Sequence, residues 1–161
     1  MNSLIQKQKR NNRHFTESYI WALFLQICHG VKCMHETGIV HRDLKPMNIF
    51  CSVDYTHFKV GDLGVSRQVS EDTLMLQTFM GTPLYLSPEL LENKLYNEKT
   101  DLWSLGVILY ELCTLATPFK GKSILSLAQN ITKGNDLCSG CCCCCYVVVA
   151  VVVAVAMLLL F

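Results

Sequence analysis

Four short strings of sequence carry most of the side chains that could do chemistry. They are HRDLKPMN at 41–48, DLG at 62–64, GTPLYLSPE at 81–89 and DLWSLG at 101–106. The side-chain oxygens of Asn48 and Asp62 suit a hard cation such as Mg²⁺, and the ammonium of Lys45 can neutralise an anion. Any one of these strings could arise by chance, and a lone Asp in a loop is usually a turn or cap residue. Their order and compatible spacing are more specific than any single string.

Taken together, the four strings resemble the C-terminal half of the eukaryotic protein kinase signature, over roughly residues 4–135. The resemblance implies an α+β, protein-kinase-like fold, represented here by the mostly helical C-terminal lobe only. It also implies ATP and Mg²⁺ as cofactors and a protein hydroxyl as the acceptor. The implied activity is phosphoryl transfer.

The resemblance assigns a role to each polar side chain. Asp43 is the expected catalytic base, which meets the incoming hydroxyl, and Lys45 is expected to be catalytic and to neutralise charge on the transferred phosphoryl group. Asn48 and Asp62 are expected to bind Mg²⁺ and, with Lys45, the nucleotide. The alternative at these positions is structural: turn acids at Asp43 and Asp62, and a surface lysine at Lys45.

Substrate class and regulation follow from the same strings. Lys45 within HRDLKPxN, and the string at 81–89, resemble the serine/threonine class, and Thr82 is expected to hydrogen-bond near Asp43 and Lys45. Arg42 is a candidate receptor for a phosphorylated activation loop, and Thr78 is the best candidate phosphosite, because a phosphate there would carry nearly two negative charges. The alternative for Thr78 is a solvated loop threonine. Leu63 departs from the commoner Phe of Asp-Phe-Gly, which puts the switching of the loop in doubt and leaves the metal role of Asp62 intact.

Further strings narrow the resemblance to the NIMA-related kinases. They are LIQKQK at 4–9, NIF at 48–50, ENKLYNEKT at 92–100 and YELCTL at 110–115. Members of that family act in mitosis, centrosomes and cilia. We therefore expect a cytoplasmic protein with a cytoskeletal, centrosomal or ciliary context, and a protein substrate with a Ser or Thr acceptor.

The elements that must position these residues can be predicted from periodicity. Thr16 is predicted to cap a helix that runs to about His35, with Gly38 as its stop. Short strands are predicted at 48–51 and 58–60, joined by a turn at 54–56. Apolar residues surround the segment 101–115 almost completely, which indicates a buried helix along the axis of the domain. One more amphipathic helix is predicted at 123–133, whereas residues 1–14 are predicted to be a helix end and a loop.

The kinase resemblance is incomplete at both ends of the sequence. A Gly-rich loop, and a strand Lys paired with a helix Glu, should hold the ATP phosphates, and none of these precedes residue 15. The N-terminal β-rich lobe is therefore expected to be absent, so that residues 1–136 form a partial kinase domain. The family's later helices, with an Arg partner for Glu89, are also expected to be missing, which would leave Glu89 as a buried, uncompensated acid. We predict that this chain alone transfers phosphate at no appreciable rate.

The last 25 residues, 137–161, form an apolar low-complexity tail, and its final 21 residues, 141–161, are all hydrophobic. That length is close to the roughly 20 residues that a membrane-spanning helix needs. Three interpretations are open: a translated intron or nucleotide repeat, a membrane anchor, and a buried apolar strand. Five adjacent cysteines at 141–145 cannot all converge on one metal ion.

Composition excludes some functions. The 161 residues carry 14 Lys+Arg against 13 Asp+Glu, so no large basic field supports nucleic-acid binding. The ten cysteines show neither disulfide-framework nor zinc-site spacing, which favours a reduced, intracellular protein. The alternative to a kinase is a non-catalytic interaction module, formed by a lone kinase lobe and tethered to a membrane if the tail is genuine. A third interpretation is that exposed apolar surface leads to aggregation or degradation.

Overall fold

The computed structural model describes residues 1–62 and 83–133, and this part of the chain is mostly helical. Its elements in chain order are α1 (Asn2–Asn11), α2 (Glu17–Glu36), a 3₁₀ turn (Pro46–Asn48), β1 (Ile49–Cys51), β2 (Phe58–Val60), α3 (Pro88–Leu91), α4 (Lys99–Thr114) and α5 (Ile124–Lys133). Within these two ranges, no helix is both long enough and apolar enough to cross a bilayer. The predicted tail at 137–161, the domain boundary before it, Leu63, Thr78 and Thr82 lie outside the described residues.

Helix α2 agrees with the prediction from periodicity. It spans Glu17–Glu36 and buries six apolar residues that recur at helical spacing: Ile20, Leu23, Phe24, Ile27, Cys28 and Val31. It ends as predicted, because Gly38 adopts a left-handed φ of 74° and its N–H donates to the His35 carbonyl at 2.9 Å.

The predicted hydroxyl cap of α2 is wrong. Thr16 does occupy the cap position, but its hydroxyl makes no hydrogen bond to the helix backbone. It lies 3.4 Å from the Ser18 hydroxyl instead. Both side chains are exposed, so water can satisfy the first backbone N–H groups of the helix.

The predicted hairpin is present, and β1 begins one residue later than expected. Its antiparallel register pairs Ile49 with Val60 and Cys51 with Phe58. In the turn, the Asp54 carboxylate accepts hydrogen bonds from the Ser52 hydroxyl and from Thr56. These hydrogen bonds hold the pKa of Asp54 at about 2. Since β2 packs on α2, the hairpin is fixed against the long helix.

Helix α4 is the axis of the described structure, as the sequence predicts. Leu102, Leu105, Ile108 and Leu112 join the core cluster that α1, α2 and the hairpin share. Val107 faces a second cluster, which also contains Phe119, Leu127 and Ile131. A helix buried on several sides explains why apolar residues surround its sequence.

Helix α1 corrects the prediction for residues 1–14. We expected a helix end and a loop there, but a full helix covers Asn2–Asn11. Leu4 and Ile5 are its buried residues, and its other side chains are mainly polar. Two adjacent apolar residues are too few to produce a periodic pattern, so this helix depends on tertiary contacts that the local sequence does not reveal.

Candidate active site

The backbone before Asp43 is anchored to a buried carboxylate in the first turn of α4. Asp101 is fully buried, and its two oxygens accept hydrogen bonds from the backbone N–H groups of His41 and Arg42, each at 2.8 Å. The positive end of the helix dipole also favours a carboxylate at this position. Arg42 adopts a left-handed φ of 69°, and these two hydrogen bonds help to hold that conformation.

Two histidines extend this anchor. A ring nitrogen of His35, near the end of α2, lies 2.8 Å from Asp101 Oδ2. His41 is fully buried; its Nδ1 accepts from the Asp43 N–H at 3.3 Å, so its Nε2 donates to the Gly61 carbonyl at 3.0 Å. Helices α2 and α4 and the end of β2 are thereby connected to the segment that carries Asp43.

The carboxylate of Asp43 is held in place by the two side chains that the sequence grouped with it. Lys45 Nζ lies 2.6 Å from Asp43 Oδ2, and Asn48 Nδ2 donates to the same oxygen at 2.9 Å. Asn48 also donates to the Asp43 backbone carbonyl at 2.9 Å. Both side-chain contacts use Oδ2, and no donor within the described ranges contacts Oδ1. Oδ1 is therefore the oxygen that can accept a hydrogen bond from another molecule.

The hairpin register places Asp62 one residue beyond Gly61, the residue opposite Asn48. The Gly61 N–H donates to the Asn48 carbonyl at 2.9 Å, which continues the strand register by one residue, and Asp62 follows directly. Asp62 has a left-handed φ of 62°, and its side chain is exposed. Asn48 is buried, and its amide nitrogen is committed to Asp43. Its amide oxygen remains as a ligand atom.

These two side chains fit Mg²⁺, since Mg²⁺ typically takes only one or two protein oxygens and fills the rest of its coordination sphere with phosphates and water. A metal site built only from protein side chains would need at least three ligand residues close together. No group of three or more His, Cys, Asp or Glu side chains in residues 1–62 and 83–133 is placed to hold a metal ion.

Sequence reasoning missed an exposed aromatic ring beside this pair. Phe50 on β1 is 60% exposed, and an added Cβ at Gly61 would lie 2.5 Å from its Cε2 atom. The ring thus covers the backbone next to Asp62. Alternation along β1, which places Ile49 in the core and Phe50 outside, is the signal that could have found it.

A second polar network joins α1, α4 and the segment that precedes α3. Glu111 is buried; it forms an ion pair with Lys9 at 2.9 Å and accepts a hydrogen bond from the Tyr85 hydroxyl at 2.5 Å. The Tyr85 carbonyl accepts from the Ser104 hydroxyl at 2.8 Å. Burial, and then the hydrogen bond to Glu111, raise the pKa of Tyr85 far above its usual value. Lys9 therefore has a structural role.

Glu89 was expected to be a buried acid without its Arg partner. In the structure it is only partly buried, and the buried Thr100 hydroxyl donates to its Oε1 at 2.9 Å. Ser87 hydrogen-bonds the same Thr100 hydroxyl. This corrects the expectation, since the carboxylate has both solvent and a protein donor.

Comparison of the sequence with known proteins points to one family. The protein kinase domain family matches residues 1–141. Human serine/threonine-protein kinase Nek5 is 45% identical over 131 residues, which cover 79% of this chain and 18% of that protein. For mouse Nek1 the identity is 44% over 121 residues, covering 75% of this chain and 10% of the relative. Human Nek2 is 39% identical over 137 residues, which cover 82% of this chain and 31% of that protein.

This chain therefore spans less than a third of the length of each of these three relatives. The family match nevertheless covers most of the chain, and all three relatives are named serine/threonine kinases. The kinase resemblance and its narrowing to the Nek, or NIMA-related, group are both confirmed. The chain belongs to the protein kinase family and is similar to its Nek serine/threonine kinases.

Proposed function

We propose that this chain supplies the catalytic residues of an ATP-dependent serine/threonine protein kinase, which transfers a phosphoryl group from Mg-ATP to a protein Ser or Thr hydroxyl. One observation carries the proposal: Lys45 and Asn48 fix Oδ2 of Asp43 at 2.6 and 2.9 Å and leave Oδ1 for a substrate. A side chain held in this way can meet a hydroxyl with little loss of conformational freedom.

Each polar side chain has a part in this mechanism. Asp43 orients the acceptor hydroxyl through Oδ1 and takes up its proton as the hydroxyl oxygen bonds to the γ-phosphorus and the bond from that phosphorus to the ADP oxygen breaks. Lys45, whose ammonium lies beside Asp43, neutralises charge on the transferred group. The side-chain oxygens of Asn48 and Asp62 would hold Mg²⁺, which neutralises charge on the nucleotide phosphates when it is bound.

The exposed ring of Phe50 extends this site along β1. It presents an apolar face next to the residues that would hold the metal and the phosphates. We therefore assign to it a contact with the base of the nucleotide, because a base needs a flat apolar surface.

Regulation is proposed at Arg42. Arg42 precedes the catalytic base by one residue, and its backbone is fixed by a hydrogen bond to Asp101. A phosphate on Thr78 would give the Arg42 side chain an anionic partner, and this contact would order the loop. Thr82 is proposed to hydrogen-bond near Asp43 and Lys45. The Nek relatives support a protein substrate, and a cytoplasmic or centrosomal setting is proposed by the same resemblance.

The 161 residues by themselves are proposed to be inactive. They carry the base and the metal ligands, but a Gly-rich phosphate loop and a strand Lys are not among them. The missing contacts to the ATP phosphates would leave the nucleotide poorly positioned.

The test compares two proteins. The product of the full-length transcript and the 161-residue chain are each incubated with radiolabelled Mg-ATP and a general protein acceptor, and the phosphorylated amino acids are identified. We expect phosphoserine or phosphothreonine with the full-length product and no signal with the chain alone. Transfer to tyrosine only, or no transfer by a product that carries the Gly-rich loop, would contradict the proposed function.

The proposed inactivity of the chain would be contradicted if the purified 161 residues transferred phosphate and Asp43→Asn abolished that transfer. A transcript that begins at Met1 and runs through Phe161 would instead favour the non-catalytic interaction module.

A further inference from the structure

Arg42 is a cation without a carboxylate partner in the part of the chain that the structure describes. Asp43, the next residue in the sequence, and Asp101, which accepts from the Arg42 backbone N–H, are both engaged elsewhere. Asp43 is paired with Lys45, and Asp101 accepts from backbone N–H groups and faces His35. The Nε atom of Arg42 is buried and finds no hydrogen-bond acceptor among residues 1–62 and 83–133. A buried donor of this kind is unusual, and an incoming anion would satisfy it.

One side chain does contact the guanidinium. The Cζ atom of Arg42 lies 4.7 Å from the centre of the Tyr96 ring, well within the range of a cation–π interaction. Tyr96 belongs to the irregular segment between α3 and α4, and it is 36% exposed. The contact therefore joins the residue before the catalytic base to a surface segment more than fifty positions along the chain.

We propose that Tyr96 is a positioning residue that holds the Arg42 side chain ready to bind a phosphate monoester. An aromatic ring contacts the face of a guanidinium and leaves the N–H groups at its edge free. Those edge groups are the donors that bind phosphate in a bidentate manner. With the backbone of Arg42 already fixed by Asp101, the ring restricts the remaining freedom of a long side chain, so less entropy is lost on binding.

This inference rests on the proposed function, in which Arg42 receives the phosphate of a phosphorylated loop. It adds a residue that lies outside the four signature strings at 41–48, 62–64, 81–89 and 101–106, and it states how that residue acts. The charge and the edge geometry of the guanidinium fit a bidentate anion, and the phosphate monoester class follows from the proposed phosphorylated loop.

The experiment is a titration of the ¹⁵N-labelled chain with phosphothreonine at constant ionic strength, followed through the Arg42 Nε–H resonance. That resonance is assigned by its disappearance in Arg42→Lys, and threonine without phosphate is the blank. The variants are Tyr96→Leu, which removes the ring, and Tyr96→Phe, which keeps it. Backbone amide spectra check that each variant keeps the fold, which is expected for a partly exposed loop side chain.

We expect Tyr96→Leu to move the Arg42 Nε–H resonance in the free protein, because the ring current is lost, and to weaken phosphothreonine binding about two- to fivefold. Tyr96→Phe should restore both properties. Equal affinity in the parent and in Tyr96→Leu would overturn the role of Tyr96 alone. No saturable binding by the parent would overturn the receptor role of Arg42 as well. Neither result depends on phosphoryl transfer, so a failure of the kinase assay is distinguishable from both.

Discussion

Asp101→Asn replaces a fully buried carboxylate with an amide of the same size. In the parent, the carboxylate accepts from the backbone N–H groups of His41 and Arg42 and contacts a His35 ring nitrogen, all at 2.8 Å. The amide has only one oxygen, so its NH₂ group must face the backbone N–H of either His41 or Arg42. The variant therefore loses an acceptor at the point where the segment carrying Asp43 is anchored.

The magnitude follows from these contacts. Losing one charge-assisted hydrogen bond costs about 1.5–3 kcal/mol, and leaving a buried N–H unsatisfied costs about 1–3 kcal/mol more. The two effects overlap, and breaking a buried charged contact typically costs about 3–5 kcal/mol in total. With a urea m-value of about 2 kcal/mol per M, the midpoint of unfolding should fall by roughly 1.5–2.5 M.

Urea unfolding followed by far-UV circular dichroism measures this shift. Asp54→Asn is the matched control, because it makes the same change at a carboxylate that also accepts hydrogen bonds but lies exposed in the hairpin turn. It should move the midpoint much less than Asp101→Asn. If the two variants unfold at the same urea concentration, Asp101 does not anchor the catalytic segment, and the physical argument is refuted.

Two further predictions concern buried groups away from the catalytic segment. Glu111→Gln should lower the free energy of unfolding by about 1–3 kcal/mol, because a buried acceptor loses its charge. Glu92→Gln, the control at an exposed ion pair, should have little effect. Equal urea midpoints for the two variants would contradict this prediction. Burial raises the pKa of Cys28 to about 12, so iodoacetamide at pH 8 should label the exposed Cys33 and spare Cys28 until the chain is unfolded, as peptide mapping would show. Since the folded state holds the Cys28 proton more tightly, its contribution to stability is complete below the pKa of an unfolded thiol and is lost as the pH rises towards 12. Equal labelling of the two native thiols would contradict the burial argument.

Several elements could be predicted because their signals are local. Helices α2 and α4 bury apolar residues that recur at helical spacing, and Gly38 provides the left-handed residue that ends α2. The short strands of the hairpin follow from apolar runs on either side of a polar turn. Asp43, Lys45 and Asn48 were grouped by sequence, and they lie in contact because Asn48 is only five positions after Asp43, within the 3₁₀ turn Pro46–Asn48.

Other features depend on contacts between distant positions, which no local pattern reveals. Asp101 belongs to a recognised string, but its hydrogen bonds to His41 and Arg42 join residues about sixty positions apart. Helix α1 has too few apolar residues to be predicted, and its Lys9 finds Glu111 more than a hundred positions away. The contact of Tyr96 with Arg42 is of the same kind.

The most direct test of the proposed function is the rate of phosphoryl transfer by the product of the full-length transcript with Asp43→Asn, compared with the same product with Asp54→Asn. The first variant removes the proton acceptor, while its amide can still contact Lys45 and Asn48 through oxygen. We expect a loss of about 10²- to 10⁴-fold, the usual contribution of a general base, and an unchanged rate for the control. If Asp43→Asn transferred phosphate as fast as the parent, Asp43 would not be the catalytic base, and the site described here would not be the active site.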